Sequence, residues 1–351
     1  MCGIVGYIGP RDVVPILLGG LERLEYRGYD SAGIAVFADG GIQIRRKEGK
    51  LVRLKEQVAQ EPLRGHLGVG HTRWATHGRP SETNAHPHLY GDVAVVHNGI
   101  IENYLELKEE LLAAGHEFQS ETDTEIAAHL LDHYTRQDPD FEAAVCRALK
   151  RIHGSFGLGV IHRRRPDLLV AARRESPIIA GYGEGECFIA SDVPALLEHT
   201  RRVSYMDDGE VAIVSREGIT FMDLEGRRVQ KEIHQVTWDP VMAQKAGFKH
   251  FMQKEIFEQP RAVIDTFRGR ISPEQGRVIL PDLPFTKEEI KGFKKVFIVA
   301  CGTSFHSGLV GKFLIEELAR LPVEVDLGSE FRYRDPILDE TTLVVLISQS
   351  G

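Results

Sequence analysis

The sequence predicts an α+β part with two antiparallel sheets and helices packed outside them, followed by the beginning of an α/β doubly wound parallel sheet. Two observations predict this division. Up to Met222, short strand patterns come before and after a group of adjacent helix patterns, as in layered α+β folds. From Lys294, solid apolar strands alternate with a helix at βαβ spacing. We therefore expect domains at 2–222 and 291–351, joined at 223–290 by a linker that contains one helix.

Apolar periodicity predicts the elements of the first part in order. An alternating Ile, Val and Gly run predicts a buried strand within residues 1–9, and one apolar stripe predicts a helix at Val13–Leu24. Thr122 and Glu125 have the spacing of a capping box, so a helix is expected to begin there. The remaining expectations are strands at 34–37, 42–44, 67–71 and 93–97, helices at 51–59, 101–114 and 141–152, and short strands between 158 and 222.

A polar stretch at 223–249 and a helix at Phe251–Phe267 lead into the second part. Apolar runs there predict strands at 296–300, 323–327 and 343–347, with a helix that ends near Arg320. The chain stops directly after the last of these strands. Because a doubly wound domain needs more strands and covering helices, we expect the second domain to be truncated at Gly351.

Composition excludes several classes of protein. The 351 residues are 42% hydrophobic and 27% charged, which is typical of a globular chain. No run of 18 apolar residues or secretory signal is found, so no membrane partner is expected. The net charge of −8 without a basic block argues against nucleic acid as a partner. The four cysteines lack C-x-x-C spacing and fit a reducing cytoplasm.

Cys2 is the first candidate for chemistry. If Met1 is removed, Cys2 carries a thiol and a free α-amine, whose pKa values are ordinarily ~8.5 and ~7.7–8.0. One residue could then serve as nucleophile and base. On position alone, the simpler interpretation is a small apolar residue at the end of the chain.

A polar, histidine-rich stretch at 71–88 is the densest cluster. One interpretation is a surface loop, and another is a metal site using His71, His77, His86, His88 and His97. We favour a pocket for a small zwitterion. Arg73 would bind a carboxylate, Thr76 and His77 would add hydrogen bonds, and Trp74 would form an apolar wall.

Two further signals suit amide chemistry. Asn98 and Gly99 follow a strand; a hairpin turn is one interpretation, but the next residues look helical. An Asn amide beside a Gly N–H can instead form an oxyanion hole. Asp123 lies at a helix start, where it could cap the helix or pair with a substrate ammonium group. Together with Cys2 and Arg73, these residues predict acyl transfer from glutamine.

The second part has two loops that suit a phosphate group. Each follows a parallel-type strand and contains small hydroxyl residues, which bind phosphate at helix starts or simply cap the helix. The candidate residues are Gly302, Thr303, Ser304, Ser348, Gln349 and Ser350. No P-loop pattern is present, so a nucleotide is not expected.

The motifs at 1–4, 26–33, 71–78, 97–99 and 120–125 together resemble the class II, or amino-terminal-nucleophile, glutamine amidotransferases. The Arg-Trp-Ala-Thr-His form of 73–77, with 252–256 and 301–304, narrows the resemblance to the glutamine–fructose-6-phosphate aminotransferase family. The resemblance implies a four-layer αββα glutaminase domain and the first part of a SIS (sugar isomerase) domain. It also implies synthesis of glucosamine 6-phosphate from glutamine and fructose 6-phosphate, with no cofactor and as a homodimer. A chain that ends at Gly351 would then act only as a glutaminase.

The resemblance also implies a role for each matching residue. Cys2 would be the nucleophile, with Asn98 and Gly99 as the oxyanion hole. Trp74 would gate an internal ammonia channel. Glutamine would be held by Arg73, Thr76, His77, His86 and Asp123, and sugar phosphate by Gly302, Thr303, Ser304, Ser348, Gln349 and Ser350.

The sequence argues against two other functions. A different synthetase would need a nucleotide or pyrophosphate loop, and none is seen. A catalytically silent sugar-phosphate sensor built on the SIS fold would not need Cys2, which is intact.

Overall fold

The structure is a computed structural model of the chain, and it describes residues 2–25, 28, 30–74, 78–237, 248–272, 276–280 and 283–347. The chain divides into two units, Met1–Ile279 and Leu280–Gly351. No helix within the described ranges is long and apolar enough to cross a membrane.

The first unit contains two large antiparallel sheets with helices packed on them and, near its end, a separate two-stranded sheet at 271–272 and 277–278. Its strands are β1 (Gly3–Ile8), β2 (Ser31–Ala38), β3 (Gly41–Glu48), β4 (Leu67–Arg73), β5 (His88–Tyr90), β6 (Val93–Ile101), β7 (Gly154–His162), β8 (Arg165–Arg174), β9 (Ile179–Tyr182), β10 (Cys187–Ala190), β11 (Arg202–Tyr205), β12 (Glu210–Val214), β13 (Ile219–Asp223), β14 (Arg228–Val229), β15 (His234–Gln235), β16 (Ile271–Ser272) and β17 (Arg277–Val278). Its helices are α1 (Val13–Leu24), α2 (Leu51–Gln60), α3 (Tyr104–Ala113), α4 (Thr124–Gln137), α5 (Phe141–Lys150) and α6 (Phe251–Phe267).

Two antiparallel sheets face each other in this unit. One has the order β15-β11-β9-β10-β1-β4-β2-β3, and the other has the order β14-β13-β12-β8-β7-β6-β5. Side chains such as Ile4 and Val69 from the first sheet share a buried core with Val96 and Ile161 from the second. α1 and α2 cover the outer face of the first sheet, and α3, α4 and α5 cover that of the second. The layers therefore run helix, sheet, sheet, helix.

β1 and β6 bring the candidate residues together because each lies inside its sheet. β1 is flanked by β10 and β4, and its residues from Gly3 to Ile8 are buried. The register pairs Gly3 with Thr72, which places Cys2 beside Arg73 at one end of the sheet. β6 is flanked by β5 and β7 in the opposite sheet.

Most predicted elements are found, with differences at their ends. α1 and α6 have the predicted bounds. β6 continues four residues beyond His97, because 98–101 still pair with β7, so α3 begins at Tyr104 rather than at 101. β14 and β15 lie in the polar stretch expected as a linker, and each pairs with a strand of the first unit. Strands of two residues are too short for periodicity to predict.

The predicted capping box at Thr122 is wrong. Asp123 is the N-cap residue of α4, and its side chain makes no capping hydrogen bond. The carboxylate of Glu125 instead accepts hydrogen bonds from the backbone N–H groups of Gln119 and Ser120, at 2.8 and 2.7 Å. Glu125 therefore stabilises the loop before the helix rather than the helix start.

The second unit is a three-layer α/β fragment in the described residues. Its elements are α7 (Lys287–Gly292), β18 (Lys295–Ala300), α8 (Gly302–Leu318), β19 (Val323–Leu327), α9 (Gly328–Tyr333) and β20 (Thr342–Ile347). The strands are parallel in the order β19-β18-β20, as the βαβ spacing predicts. β18 is buried along Val296–Ala300, which explains its unbroken apolar run.

Candidate active site

Cys2 lies directly before β1, at the end of the sheet. Its Sγ accepts a hydrogen bond from the backbone N–H of Trp74 at 3.1 Å, and the thiol faces the Trp74 carbonyl at 3.4 Å. Burial raises the pKa of the Cys2 thiol, while the Trp74 hydrogen bond and the charge of Arg73 act in the opposite direction. A neighbouring base would therefore help to form the thiolate near neutral pH.

Arg73 ends the neighbouring strand β4. Its side chain is buried at 3% exposure, and Nη2 donates to the Gly78 carbonyl at 2.9 Å. Trp74 follows it and is 41% exposed. Thr76 and His77, which we predicted beside them, lie outside the described residues. A buried guanidinium at the edge of a cavity is suited to bind a carboxylate.

Asn98 reaches Cys2 from the opposite sheet. Its Nδ2 donates to the Cys2 carbonyl oxygen at 3.0 Å, so an amide N–H faces the region of the thiol. Asn98 and Gly99 both lie inside β6 rather than in a turn, which excludes the hairpin interpretation.

Asp123 is buried at 4% exposure, and its Oδ2 accepts the Ile101 backbone N–H at 2.8 Å. Since an ionised carboxylate has about four acceptor sites, this bond leaves Asp123 able to accept hydrogen bonds from an ammonium group. Asp123 is therefore held at the start of α4, but its carboxylate does not cap the helix.

These side chains line one cavity of about 370 Å³. That volume lies in the range of roughly 300–1,000 Å³ found for small-molecule sites. The predicted residues that line it are Cys2, Arg73, Trp74, His86, Asn98, Gly99 and Asp123. The cavity combines a nucleophile, an amide donor, a cation and an anion, which are the groups needed to bind and cleave the side chain of a zwitterionic amide.

Several cavity residues were not predicted from the sequence. They are Ile100, Thr122, Thr124, Ser155, Ser176, Pro177 and, from α6 and the segment after it, Arg261, Ala262, Asp265, Thr266 and Arg270. His97, which the sequence suggested only as a metal ligand, also lines the cavity. Arg261 and Asp265 are four residues apart on α6 and form an ion pair at 3.5 Å. That spacing was a visible signal, but it is common on exposed helices and does not identify a site.

The buried histidines form a neutral network beside the cavity, and His86 also lines it. Burial lowers the pKa of His71 and of His88 to about 3, and it lowers the pKa of His86 well below its usual value. Within the described ranges, no group of three or more His, Cys, Asp or Glu side chains is arranged to hold a metal ion. The described members of the predicted histidine cluster instead bond to one another and to backbone or hydroxyl groups.

These histidines predict an acid-sensitive fold. The unfolded chain binds a proton at each histidine near pH ~6.5, whereas folded His71 and His88 stay neutral to about pH 3. The unfolded state therefore gains protons first as pH falls, and stability is lost below pH ~6.5. We expect each of the two to reduce the free energy of unfolding by about 2 kcal/mol between pH 7 and pH 5.

Urea unfolding at the two pH values tests this expectation. His88→Gln should make the loss smaller, while the same change at the exposed His153 should leave it unaltered. A stability that is constant from pH 7 to pH 5 would contradict the neutral network.

Gly99 is required by the geometry of β6. Its φ is +128°, and an added Cβ would lie 2.1 Å from the carbonyl oxygen of Ser155. Gly99→Ala is expected to cost ~3 kcal/mol or more, since strain at such a φ alone is worth ~1–3 kcal/mol and the contact with β7 adds to it. Gly115→Ala is the matched control, because Gly115 also has a positive φ of +88° but open space around it. Equal losses in urea unfolding would show that the Ser155 contact does not matter.

The first of the two loops predicted to bind phosphate follows β18. Gly302 has a φ of +58° and begins α8 directly after β18, with Thr303 and Ser304 in the first turn. Ser348, Gln349 and Ser350, the second predicted loop, lie outside the described residues. The structure thus describes one of the two loops.

The sequence of this chain is similar to known protein families and to curated relatives. Residues 71–198 match the family model for a glutamine amidotransferase domain, and residues 289–351 match the model for a SIS domain. A curated relative from Caldanaerobacter subterraneus subsp. tengcongensis, named glutamine–fructose-6-phosphate aminotransferase (isomerizing), is 54% identical over 100% of this chain. A protein of the same name from Thermus thermophilus is 53% identical, again over 100% of the chain. The chain is thus similar along its whole length to these aminotransferases, and it contains a glutamine amidotransferase domain and part of a SIS domain.

The family relatives are longer than this chain, which spans 58% of the first relative and 57% of the second. The two domain matches confirm the predicted glutamine amidotransferase domain and the predicted partial SIS domain.

Two solved structures resemble the fold. The allosteric regulatory enzyme of purine biosynthesis is 25% identical with a TM-score of 0.56, covering 64% of this chain and 49% of its own. The glutamine phosphoribosylpyrophosphate amidotransferase from B. subtilis is 20% identical with a TM-score of 0.57, covering 92% and 65% respectively. These likenesses confirm the predicted amidotransferase fold class.

Proposed function

We propose that this chain hydrolyses glutamine to glutamate and ammonia, with Cys2 as the nucleophile. One observation carries the proposal: Cys2, Asn98, Arg73 and Asp123 come from separate parts of the chain and line one cavity. We further propose that the whole protein transfers the ammonia to fructose 6-phosphate to give glucosamine 6-phosphate, as the names of its relatives suggest. The whole protein is proposed to act as a homodimer in the cytoplasm.

The proposed reaction begins after removal of Met1. The freed α-amine of Cys2 takes the thiol proton, and the sulfur forms a bond to the side-chain carbonyl carbon of glutamine. The electron pair of the carbonyl moves to its oxygen, which Asn98 Nδ2 and the Gly99 N–H stabilise. The protonated amine gives its proton to the leaving nitrogen, the C–N bond breaks, and ammonia departs. Water then attacks the thioester, the C–S bond breaks, and glutamate and the Cys2 thiol are released.

Glutamine recognition is assigned to the charged ends of the cavity. Arg73 is proposed to bind the α-carboxylate, and Asp123 the α-ammonium group, so the side-chain amide points toward Cys2. Thr76, His77 and His86 are proposed to complete the site, and Trp74 is proposed to gate the path that ammonia takes. In the second unit, Gly302, Thr303 and Ser304, with Ser348, Gln349 and Ser350, are proposed to bind the sugar phosphate.

The test is an assay of glutamate and ammonia release from glutamine, combined with the intact mass of the purified chain. We expect equal amounts of the two products from protein that has lost Met1. Fructose 6-phosphate should not be converted by this chain alone. An inactive preparation without Met1 would contradict the hydrolytic function, and an active preparation that retains Met1 would contradict the amine as base.

A further inference from the structure

The orientation of the Asn98 amide is determined by its neighbours on both sides. On one side its nitrogen must face the Cys2 carbonyl oxygen, 3.0 Å away, because that oxygen can only accept a hydrogen bond. The amide oxygen, Oδ1, then points the other way, and Nε2 of His71 lies 3.0 Å from it. Whichever group faces Oδ1 must be a donor.

His71 can be that donor in only one tautomer. Its Nε2 also lies 2.9 Å from the carbonyl oxygen of His97, so this nitrogen faces two oxygen atoms that can only accept a hydrogen bond. Nε2 must therefore carry the ring hydrogen, an assignment that follows from the hydrogen-bond network. His71 is fully buried on β4, and burial keeps it neutral, so its Nδ1 is an unprotonated acceptor.

His86 packs against the ring of His71. Its Nδ1 lies 3.2 Å from both ring nitrogens of His71, and the two rings meet edge to face with centroids 4.2 Å apart. This contact holds the His71 ring in place. The hydrogen bonds toward the cavity then run from His71 to Asn98 and from Asn98 to the Cys2 carbonyl.

We propose that His71, itself oriented by His86, is a positioning residue that holds the Asn98 amide with its N–H groups toward the reacting carbonyl. This inference rests on the proposed glutamine hydrolysis, and it adds a role for His71, which lies behind the cavity, and for His86, which lines it. A flipped or rotated Asn98 would present an oxygen, which repels a developing negative charge instead of stabilising it. His71 acts through Asn98 and does not itself line the cavity.

Three substitutions at His71 distinguish the loss of the Nε2 hydrogen-bond donor from a loss of side-chain packing. The amide nitrogen of Gln lies near the position of a histidine Nε2, whereas that of Asn lies near Nδ1. His71→Gln can therefore still donate to Asn98, while His71→Asn and His71→Phe cannot. The matched control is His162→Phe, which replaces a buried histidine at the end of β7, outside the cavity lining.

The experiment measures kcat and KM for glutamine, and thermal stability, in each variant of the chain without Met1. We expect kcat to fall roughly 10–100-fold in the Asn and Phe variants, below the ~10²–10³-fold ceiling for losing an oxyanion donor. KM should stay within about 2-fold, and the Gln variant should keep most of the wild-type kcat. His162→Phe should lower stability without lowering kcat.

A double variant tests whether His71 acts on kcat through the Asn98 amide. In an Asn98→Ala background, His71→Phe should cause no further loss of kcat, because there is no amide left to orient. A full additional loss in that background, or equal activity of the Gln and Asn variants, would overturn the role of His71. If the His71→Phe variant does not fold, the difference in kcat between His71→Gln and His71→Asn still tests the positioning role of His71. Failure of the wild-type chain to hydrolyse glutamine would instead reject the proposed function.

Discussion

Cys2→Ala is expected to abolish glutamine hydrolysis, with a loss of roughly 10⁴-fold or more in kcat. The side chain supplies the atom that would bond to the substrate carbon, and no remaining group can replace a covalent nucleophile. Stability should change little, because Cys2 lies before β1 and is only partly buried. The measurement is glutamate release at saturating glutamine, with thermal unfolding as the check on folding.

The control for this substitution is Cys301→Ala. Cys301 is exposed and precedes α8 in the second unit, so its loss should leave glutamine hydrolysis unchanged. Hydrolysis by Cys2→Ala at more than a tenth of the wild-type rate would remove Cys2 from the proposed role. A large loss in Cys301→Ala would point to a different nucleophile.

Asn98→Ala should lower kcat by about 10²–10³-fold with a much smaller change in KM. The amide N–H would stabilise the oxyanion more than the ground-state carbonyl, and removing one such donor typically costs this much. Asn98 also donates to the Cys2 carbonyl, so the backbone next to the nucleophile loses a contact at 3.0 Å.

Asn103→Ala is the matched control for the second substitution. Asn103 donates to the Arg151 carbonyl at 2.9 Å and accepts the His153 N–H at 2.9 Å, outside the cavity lining. Its loss should reduce stability without changing kcat. A normal kcat in Asn98→Ala, or equal losses in the two variants, would be incompatible with an oxyanion role.

Periodicity predicted the elements better than it predicted their ends. α1 buries one face, which gives an apolar stripe, and β18 is buried on both faces, which gives an unbroken apolar run. Both elements lie where the sequence predicted them. The end of β6 was missed because its last residues pair with β7, and cross-strand pairing is a tertiary contact that local sequence does not contain.

The sequence predicts which site residues can take part in the reaction, but it does not predict the hydrogen bonds that hold them in place. Residue type and position are enough to predict roles for Asn98 and Asp123. The hydrogen bond between Asp123 and Ile101, and the one between Asn98 and Cys2, join residues 22 and 96 positions apart. The packing of the two sheets brings Asn98 to Cys2, and the packing of α4 on β6 brings Asp123 to Ile101. The histidines near His71 suggested a metal because their spacing is visible and their burial is not.

Cys2 is proposed to be the nucleophile of a glutamine-binding cavity. The most direct test of this role is labelling with a glutamine analogue whose side-chain amide is replaced by an electrophilic ketone, followed by intact and peptide mass measurement. We expect one adduct per chain, on Cys2, and we expect glutamine to slow its formation. An adduct on Cys146, Cys187 or Cys301 instead, or labelling that glutamine does not slow, would contradict it.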